Sequence, residues 1–298
     1  MTGYLHGVGR RMAKPDSGTA EEPYRRTRVL RDAASGQFLG IAAAEVMPVH
    51  PQRIRTHIEI AEPFRRRGLG RAAVEHLRAL TADDGRGLHS RGARGSAAHR
   101  FAAATGYREV QRSRGMRIRP REHYGSSGRF DVAEYRVGPG TEGSPAVPDE
   151  CVRAYWNAYE ATHALWDPVR PSTVEETRRN FFVSTPALFL AAFDRVTGCA
   201  AGTAFVDPPD LGAFDFADGT GFDGSSVDPF DLDAREAVQD LLLAAAQHSP
   251  DGELVAEVDD AYATLLAAVE PIIVRVEADL VISATDSRVR GGGTGHLH

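Results

Sequence analysis

The chain has 298 residues, of which 42% are hydrophobic and 26% charged, and its formal net charge is −6. This composition excludes a wholly disordered chain, a collagen and a coiled coil, and the length suits about two domains. No apolar run approaches the roughly 18 residues of a membrane span, and residues 1–24 lack the apolar core of a signal peptide. We therefore expect a soluble cytoplasmic protein that does not bind membranes.

The cysteines and the charge distribution narrow the class further. Cys151 and Cys199 are too few for a disulfide framework or a four-ligand zinc site, so we expect no metal. Residues 1–129 carry 25 basic and 12 acidic side chains, whereas residues 130–298 carry 10 and 29. The chain thus has a basic half and an acidic half, an asymmetry that bears on partners rather than on fold.

The first predicted elements form a hairpin that recurs later in the chain. Residues 1–23 are expected to be a flexible N-terminus. Strand-like runs at 26–31 and 38–46 then flank the pattern D-x-x-[S/T]-G-x-x-x-G-x-A, which begins at Asp32. The same pattern begins again at Asp194, between strand-like runs at 188–193 and 199–206. The order and spacing of this repeated pattern, together with two further matches later in each half, predict a diverged tandem duplication.

A strand, a glycine-containing turn and a helix follow the first hairpin. From Arg53 to Ile60 apolar and polar side chains alternate, as in a half-buried strand. The helix ends near Leu80. Between strand and helix, the turn leaves main-chain N–H groups at the positive end of the helix dipole, which suits a phosphate or a pyrophosphate. The turn contains Arg65, Arg66, Arg67, Gly68, Leu69, Gly70 and Arg71.

The pattern R-x-x-G-x-G in this turn resembles the acyl-coenzyme A loop of the GNAT superfamily of N-acetyltransferases, with Arg65, Gly68 and Gly70 at the matching positions. The resemblance implies that the loop binds the pyrophosphate of acetyl-CoA, the acyl-donor cosubstrate. It also implies that the main chain at Ile58 and Ile60 pairs with the pantetheine arm. The alternative is an exposed basic turn before a surface helix.

A second segment resembles part of the family pattern A-x-x-F-Y-x-x-x-G-F. Ala98, Phe101, Gly106 and Tyr107 occupy the matching positions, with a tyrosine in place of the last phenylalanine. In the family the residue after the phenylalanine is often a tyrosine that protonates the leaving thiolate, and here it is Ala102. Water or Tyr107 then becomes the candidate acid.

The second half keeps the predicted scaffold and loses the loop. A linker is predicted at 122–129, and the C-terminal residues 288–298 are expected to be disordered. Where the first half has its arginines, the second has Asp231-Leu232-Asp233-Ala234, and the carboxylates oppose a bound pyrophosphate. We therefore predict a mixed α/β fold of two tandem GNAT-like domains, at 24–121 and 130–287. This is distantly similar to tandem GNAT enzymes of the mycothiol synthase type, with a degenerate coenzyme loop in the second domain.

The first predicted domain lacks the strand and two helices with which a complete GNAT domain begins. The 23 residues before Tyr24 cannot supply two helices of normal length. In the family those helices wall the acceptor pocket. Three alternatives stay open: an open acceptor site, closure of the site by the second domain, and a start codon further upstream.

Attack of an amine on a thioester needs a base, an oxyanion donor and an acid for the thiolate. Glu59 is the first candidate base and His57 the second, because both lie on the strand expected to hold the pantetheine, away from its isoleucines. The alternative for both is the solvated polar face of an edge strand. As the resemblance implies, a main-chain N–H near Ile60 polarises the carbonyl.

One feature of the sequence bears on the chemical nature of the acceptor substrate. Ten carboxylates and a single arginine lie between Asp207 and Asp240. An acidic face beside the acceptor site would attract a small cationic amine. The alternative is a solubilising acidic loop, or a loop that docks on the arginines of the basic half.

Three functions fit these patterns. The leading one is a bacterial acetyl-CoA-dependent N-acetyltransferase, monomeric or homodimeric, which acts on the amine of a small molecule, with cationic amines among the candidates. The second is a non-catalytic coenzyme A-binding regulator. The third, a nucleic-acid binder using the basic half, lacks a recognition motif and interleaved aromatic residues, so we expect no nucleic acid partner.

Overall fold

The computed structural model describes residues 25–141, 143–183, 187–209 and 218–286. The N-terminus at 1–23 and the tail at 288–298, both expected to be flexible, lie outside these residues. The described chain divides into two compact units. The first unit contains residues 25–110, 167–170 and 281–286, and the second contains the described parts of 111–166 and 171–280. The predicted linker at 122–129 falls inside the second unit.

The first unit is a sheet packed against two helices. Its strands are β1 (Arg25–Arg31), β2 (Phe38–Glu45), β3 (Arg53–Ile60) and β4 (Gly87–Ala93), and its helices are α1 (Leu69–Leu80) and α2 (Ala97–Ala104). Strands β1, β2 and β3 are antiparallel neighbours, and β4 runs parallel to β3. Beyond β4 the order continues with residues 281–284 of the last strand of the chain.

The alternation predicted for β3 sets the two faces of this sheet. Ile54 is fully buried in one hydrophobic cluster with Leu77 of α1. Arg55 and His57, whose side chains leave the opposite face, stay partly exposed. The apolar side of β3 therefore holds the helices, and its charged side forms a polar face.

The second unit has a larger sheet between helices. Its strands are β5 (Arg108–Ile118), β6 (Phe130–Val137), β7 (Ala187–Asp194), β8 (Ala200–Asp207), β9 (Gly221–Ser226), β10 (Leu254–Asp259) and β11 (Ile273–Ala284). Their order is β11-β5-β10-β9-β8-β7-β6, with β9 and β10 parallel. Residues 108–110 of β5 and 281–284 of β11 belong to the first unit.

Helices cover both faces of the second sheet. One face packs against α3 (Asp149–His163) and α4 (Val174–Thr177), which a π-helical turn extends to Phe182. The other packs against α5 (Arg235–Ala245) and α6 (Ala263–Val269). Among the described residues, every helix is too short or too polar to cross a lipid bilayer.

The two predicted hairpins are confirmed, and their turns share the same hydrogen bonds. Oδ1 of Asp32 accepts from the main-chain N–H groups two and three residues later, at 3.1 and 2.8 Å. Oδ1 of Asp194 accepts from the equivalent groups at 2.9 and 3.0 Å. Gly36 and Gly198 adopt left-handed φ values of 71° and 69°. Both hairpins also shift register between the second and first residues before the aspartate. This detailed agreement supports a duplication.

The later glycine of the repeated pattern is fixed by a close approach of strands. A Cβ at Gly40 would lie 2.3 Å from the carbonyl oxygen of Glu59 on β3. At the equivalent Gly202 of the second unit, a Cβ would lie 3.0 Å from the Leu241 side chain. That Cβ would also lie 3.1 Å from the carbonyl oxygen of Ser225, the residue equivalent to Glu59, so the two positions are crowded in a similar way.

Gly40→Ala is expected to lower the free energy of unfolding by about 1–3 kcal/mol, because strand β3 has to move away from the new methyl group. Gly92→Ala is the matched control on β4, since its Cβ would lie 3.6 Å from Ala98, an ordinary contact. It should change the free energy by no more than about 0.5 kcal/mol. Urea unfolding followed by circular dichroism measures both. An equal loss of unfolding free energy in the two variants would contradict the close approach of Gly40 to strand β3.

Candidate functional site

The turn between β3 and α1 leaves a row of main-chain N–H groups without protein partners. Arg66 and Gly68 both adopt left-handed conformations, with φ of 65° and 81°. The first N–H to enter the α1 ladder is that of Ala72, which donates to the carbonyl oxygen of Gly68 at 3.1 Å. Within the described residues, the N–H groups of 66–71 donate no hydrogen bond. A cluster of this kind at a helix N-terminus suits an anion.

Exposed guanidinium groups surround this turn. Arg65, Arg66, Arg67 and Arg71 are all exposed. Nε of Arg65 donates to the carbonyl oxygen of Ile60 at 2.9 Å, which ties the turn to the end of β3. The guanidinium of Arg67 lies 5.5 Å from the centre of the Phe64 ring. The turn combines fixed N–H dipoles with exposed positive charge, and no acidic residue lies in the first turn of α1.

The two sequence segments that resemble the GNAT pattern meet in space. A Cβ added at Gly70 would lie 3.2 Å from the Phe101 ring of α2. Gly70 therefore lets the start of α1 rest on this ring, and Phe101 packs against the hydrophobic cluster of the first unit. The phenylalanine of the second segment thus supports the turn formed by the first.

Strands β3 and β4 separate partway along their length. Their parallel pairing covers three steps and ends at Arg55 opposite His89, although β3 continues to Ile60 and β4 to Ala93. Past that point the edge of β3 that faces β4 has no strand beside it among the described residues. The separation opens a gap directly before the basic turn.

The main chain of β3 offers hydrogen bonds to this gap. The N–H of Ala61 donates to the carbonyl oxygen of Leu39 in β2 at 2.9 Å. Main-chain polar groups alternate sides along a strand, so those of Ile58 and Ile60 point the other way, toward β4. The two residues predicted to pair with a pantetheine arm therefore present their polar groups to the open edge.

The structure separates the three predicted catalytic residues onto two faces. Glu59 and His57, opposite Ile41 and Ala43 of β2, belong to the polar face and are partly exposed. Tyr107 is buried on the helix side, and its hydroxyl lies 3.2 Å from Oγ1 of Thr56. Burial raises the pKa of Tyr107, so its phenol stays protonated at neutral pH.

A cluster on the first unit was not predicted from the sequence. Asp167, only 2% exposed, belongs to the segment 167–170. Its Oδ2 lies 3.4 Å from Nδ1 of His50 and 3.7 Å from Nδ1 of His89, and its carbonyl oxygen lies 3.1 Å from His50 Nδ1. The N–H of Arg170 donates to the carbonyl oxygen of Val49 at 3.1 Å, which holds the segment in place.

Burial keeps this cluster close to neutral. It raises the pKa of Asp167 to about 7, against the opposing charges of Arg53 and Arg55. It also lowers the pKa of His89 to about 3, assisted chiefly by the positive charge of Arg55, and lowers that of His50. At neutral pH the imidazoles are uncharged and the Asp167 carboxyl is near its midpoint, a condition suited to accepting and releasing protons.

No local signal identifies the cluster. His50 lies in a short turn and His89 in β4, whose sequence Gly87–Ala93 shows no apolar alternation. Asp167 follows Trp166 in an irregular segment more than 70 residues further along the chain. Only the folded chain brings the three residues together.

Among the described residues no group of three His, Cys, Asp or Glu side chains is arranged to hold a metal ion.

The turn that precedes α5 in the second unit differs from the turn before α1. Oδ1 of Asp231 accepts the N–H of Asp233 at 3.0 Å, and the N–H of Ala234 donates to the carbonyl oxygen of Asp231 at 3.0 Å. The N–H groups at this position are thus partly satisfied internally, beside carboxylates rather than guanidinium groups. This turn is a poor anion site.

The described part of the chain has a fold seen in solved structures of proteins named as acetyltransferases. A GCN5-related N-acetyltransferase from Sphaerobacter thermophilus aligns with a TM-score of 0.57 at 16% identity, covering 95% of this chain and 86% of that one. A tandem GNAT protein from the clavulanic acid biosynthesis pathway aligns at 0.56 and 16% identity, covering 93% and 85%. A protein from Enterococcus faecalis V583, named a probable N-acyltransferase, aligns at 0.54 and 12%, covering 96% and 66%.

Together these alignments and the strand order define a mixed α/β protein with the GNAT fold. Because the matches cover almost all of this chain and include a tandem protein, the particular arrangement is the tandem GNAT fold. No family model matches the sequence, and no similar curated protein was found.

The raised pKa of Asp167 predicts a pH-dependent stability. The carboxyl has its usual value of 3.8 in the unfolded chain and about 7 in the folded protein, so the fold loses stability as pH rises between these values. Asp167→Asn should therefore leave the melting temperature close to that of the wild type near about pH 4 and raise it above about pH 7. The corresponding increase in the free energy of unfolding is at most about 4 kcal/mol. Calorimetric melting over this range measures it.

The control for this prediction is a carboxyl whose pKa is lowered by folding, so its substitution should lower the melting temperature rather than raise it. The main-chain N–H and the hydroxyl of Ser35 hold the pKa of Asp32 below its usual range. Asp32→Asn should therefore lower the melting temperature above about pH 4, where that carboxylate is ionised in both states. A difference between Asp167→Asn and wild type that does not vary with pH would contradict the proposed protonation of Asp167.

Proposed function

We propose that the protein is an acetyl-CoA-dependent N-acetyltransferase that transfers the acetyl group to the amine of a small molecule in the bacterial cytoplasm. The observation that carries the proposal is the open row of N–H groups from Arg66 to Arg71, directly after the gap between β3 and β4. The similarity to named acetyltransferases supports it at the level of fold.

In this proposal the first unit binds the cosubstrate along the gap. The pyrophosphate accepts hydrogen bonds from the N–H groups of the turn, and the surrounding arginines neutralise its charge. The pantetheine arm extends β3 by pairing with the main chain at Ile58 and Ile60. The thioester then lies toward the point where β3 and β4 part, near Arg55 and His89.

The polar face supplies the groups for proton transfer. The amine nitrogen attacks the thioester carbonyl, the C–N bond forms, the C–S bond breaks, and the amine loses one proton while the thiolate takes one up. Glu59 is the proposed base and His57 the second candidate. His57 shares its face with His89, and after burial and the charges of Arg55, His50 and Arg53 the charge of His57 also lowers the pKa of His89.

The alternative function is a coenzyme A-binding regulator without turnover. The observation that favours it is Ala102, which is buried where the family often has an acidic phenol, while Tyr107 lies on the face opposite Glu59. Binding and turnover therefore need separate tests.

Gly68→Asp should weaken acetyl-CoA binding at least about tenfold, because it puts a carboxylate among the N–H groups that face the pyrophosphate. Gly36→Asp is the matched control, since Gly36 has a similar φ of 71° and, as at Gly68, an added Cβ would meet no atom within 4 Å. Its affinity should stay within about twofold of the wild type. Isothermal titration calorimetry measures all three proteins. No binding by the wild type, or equal binding by all three, refutes the proposed coenzyme site.

Glu59→Gln should lower kcat for acetyl transfer by about 100-fold or more and leave the acetyl-CoA affinity within about twofold, because the variant loses a base and keeps its size. Glu75→Gln, an exposed change on α1, is the control and should keep full activity. Release of the coenzyme A thiol in the presence of a panel of amines is the assay. Intact acetyl-CoA binding with no turnover by the wild type on any amine would favour the regulator.

A further inference from the structure

Four carboxylates share one face of the second unit. Asp207 lies opposite Gly221 of β9, two residues before Asp223, and Gly221 lies opposite Val255 of β10, two residues before Glu257. Side chains two residues apart point to the same face of a sheet. We call this set the acidic face, and its members are Asp207, Asp223, Glu257 and Asp259.

The strands under the acidic face separate as β3 and β4 do. The pairing of β9 with β10 ends at Phe222 opposite Ala256, and Asp223 is the next residue of β9. Each of these four residues is partly exposed, although burial is the main cause of the raised pKa of the Asp223 carboxyl. Asp223 therefore stands at the mouth of a gap within the sheet, partly buried and partly open to a ligand.

Within the described residues the side chain of Asp223 makes no hydrogen bond or ion pair. Burial, and then the charges of Glu257, Asp207 and Asp259, raise its pKa to about 7. The arginine on this face, Arg117 of β5, is already bound to Glu253 and Glu277. A largely buried carboxylate beside other carboxylates destabilises a fold when it is ionised, and either protonation or a bound cation relieves that cost.

Aromatic side chains of α3 and the α6 N-terminus border the acidic face. The Tyr155 ring lies 5.1 Å from that of Phe205, the residue paired with Asp223. Burial above all, and after it the charge of Asp223, raises the pKa of both Tyr155 and Tyr262. Phenol rings offer an apolar surface and a negative face to an alkylammonium group, and their hydroxyls offer hydrogen bonds.

We propose that the acidic face of the second unit binds an organic cation, an aliphatic amine with two or more ammonium groups, with Asp223 as its central partner. Strands β8, β9 and β10 are about 5 Å apart, so their carboxylates are spaced like ammonium groups on a short aliphatic chain. Because the second unit alone supplies these residues, the site stands whether or not the first unit transfers acetyl groups.

The test is calorimetric titration of the full chain with spermidine, without acetyl-CoA, at about pH 8, where Asp223 is ionised. Asp223→Asn should weaken binding at least about tenfold. Glu150→Gln, an exposed change on α3, removes one negative charge from the same unit and should leave the affinity within about twofold. Putrescine should bind and its neutral diol analogue should not.

Asp223→Asn has its own folding control. Removal of the buried charge should raise its melting temperature above that of the wild type at the same pH, so that lost binding cannot be ascribed to unfolding. Absence of spermidine binding, equal affinity in wild type and Asp223→Asn, or equal loss in Glu150→Gln would each overturn the proposal. Displacement of spermidine by magnesium or calcium ions at equal concentration would also overturn it, in favour of a metal site.

Discussion

The parallel pairing between β3 and β4, which stops after three steps, is the constraint on which the first unit depends. Past the end of that pairing, alternate residues of β3, Ile58 and Ile60 among them, leave main-chain groups facing a gap rather than a neighbouring strand. Such groups are costly when they stay unpaired, so the gap is suited to an extended ligand that completes the ladder. The basic turn follows immediately because β3 ends at Ile60 and α1 begins at Leu69.

The second unit repeats this geometry with the opposite chemistry. Its parallel strands β9 and β10 also part after a short pairing, but the next helix begins behind a turn whose N–H groups are partly satisfied and whose side chains are acidic. Gly40 pairs with Ile60 and Gly202 pairs with Ser226, so the two hairpins can be aligned through these glycines. In that alignment Asp223 of β9 is the equivalent of His57 of β3. One duplicated scaffold thus presents an anion-binding turn in one unit and a carboxylate-lined gap in the other.

The parts of the structure that depend on interactions between residues close in sequence could be predicted from the sequence. The hairpins follow from an aspartate and a glycine within five residues, and the turn before α1 follows from its arginines and glycines, so both were predictable. Strand β9 was not, because Gly221–Ser226 contains two glycines, two serines and an aspartate and reads as part of an acidic loop. Its strand structure comes from pairing with β8 and β10. The contacts of Asp167 with His50 and His89 likewise depend on residues distant along the chain, which no spacing rule connects.

The hydroxyl of Thr56 fixes the direction of a short hydrogen-bond chain at the point where β3 and β4 part. It has one proton, which it donates to the carbonyl oxygen of His89 at 2.8 Å. At the 3.2 Å contact with Tyr107 the threonine must therefore accept, and the phenol must donate. The only proton of Tyr107 is thus directed into the sheet, and the lone pairs of its oxygen are the part left available. In this resting arrangement Tyr107 is an acceptor toward any incoming group, and it can release a proton only after its bond to Thr56 has been broken.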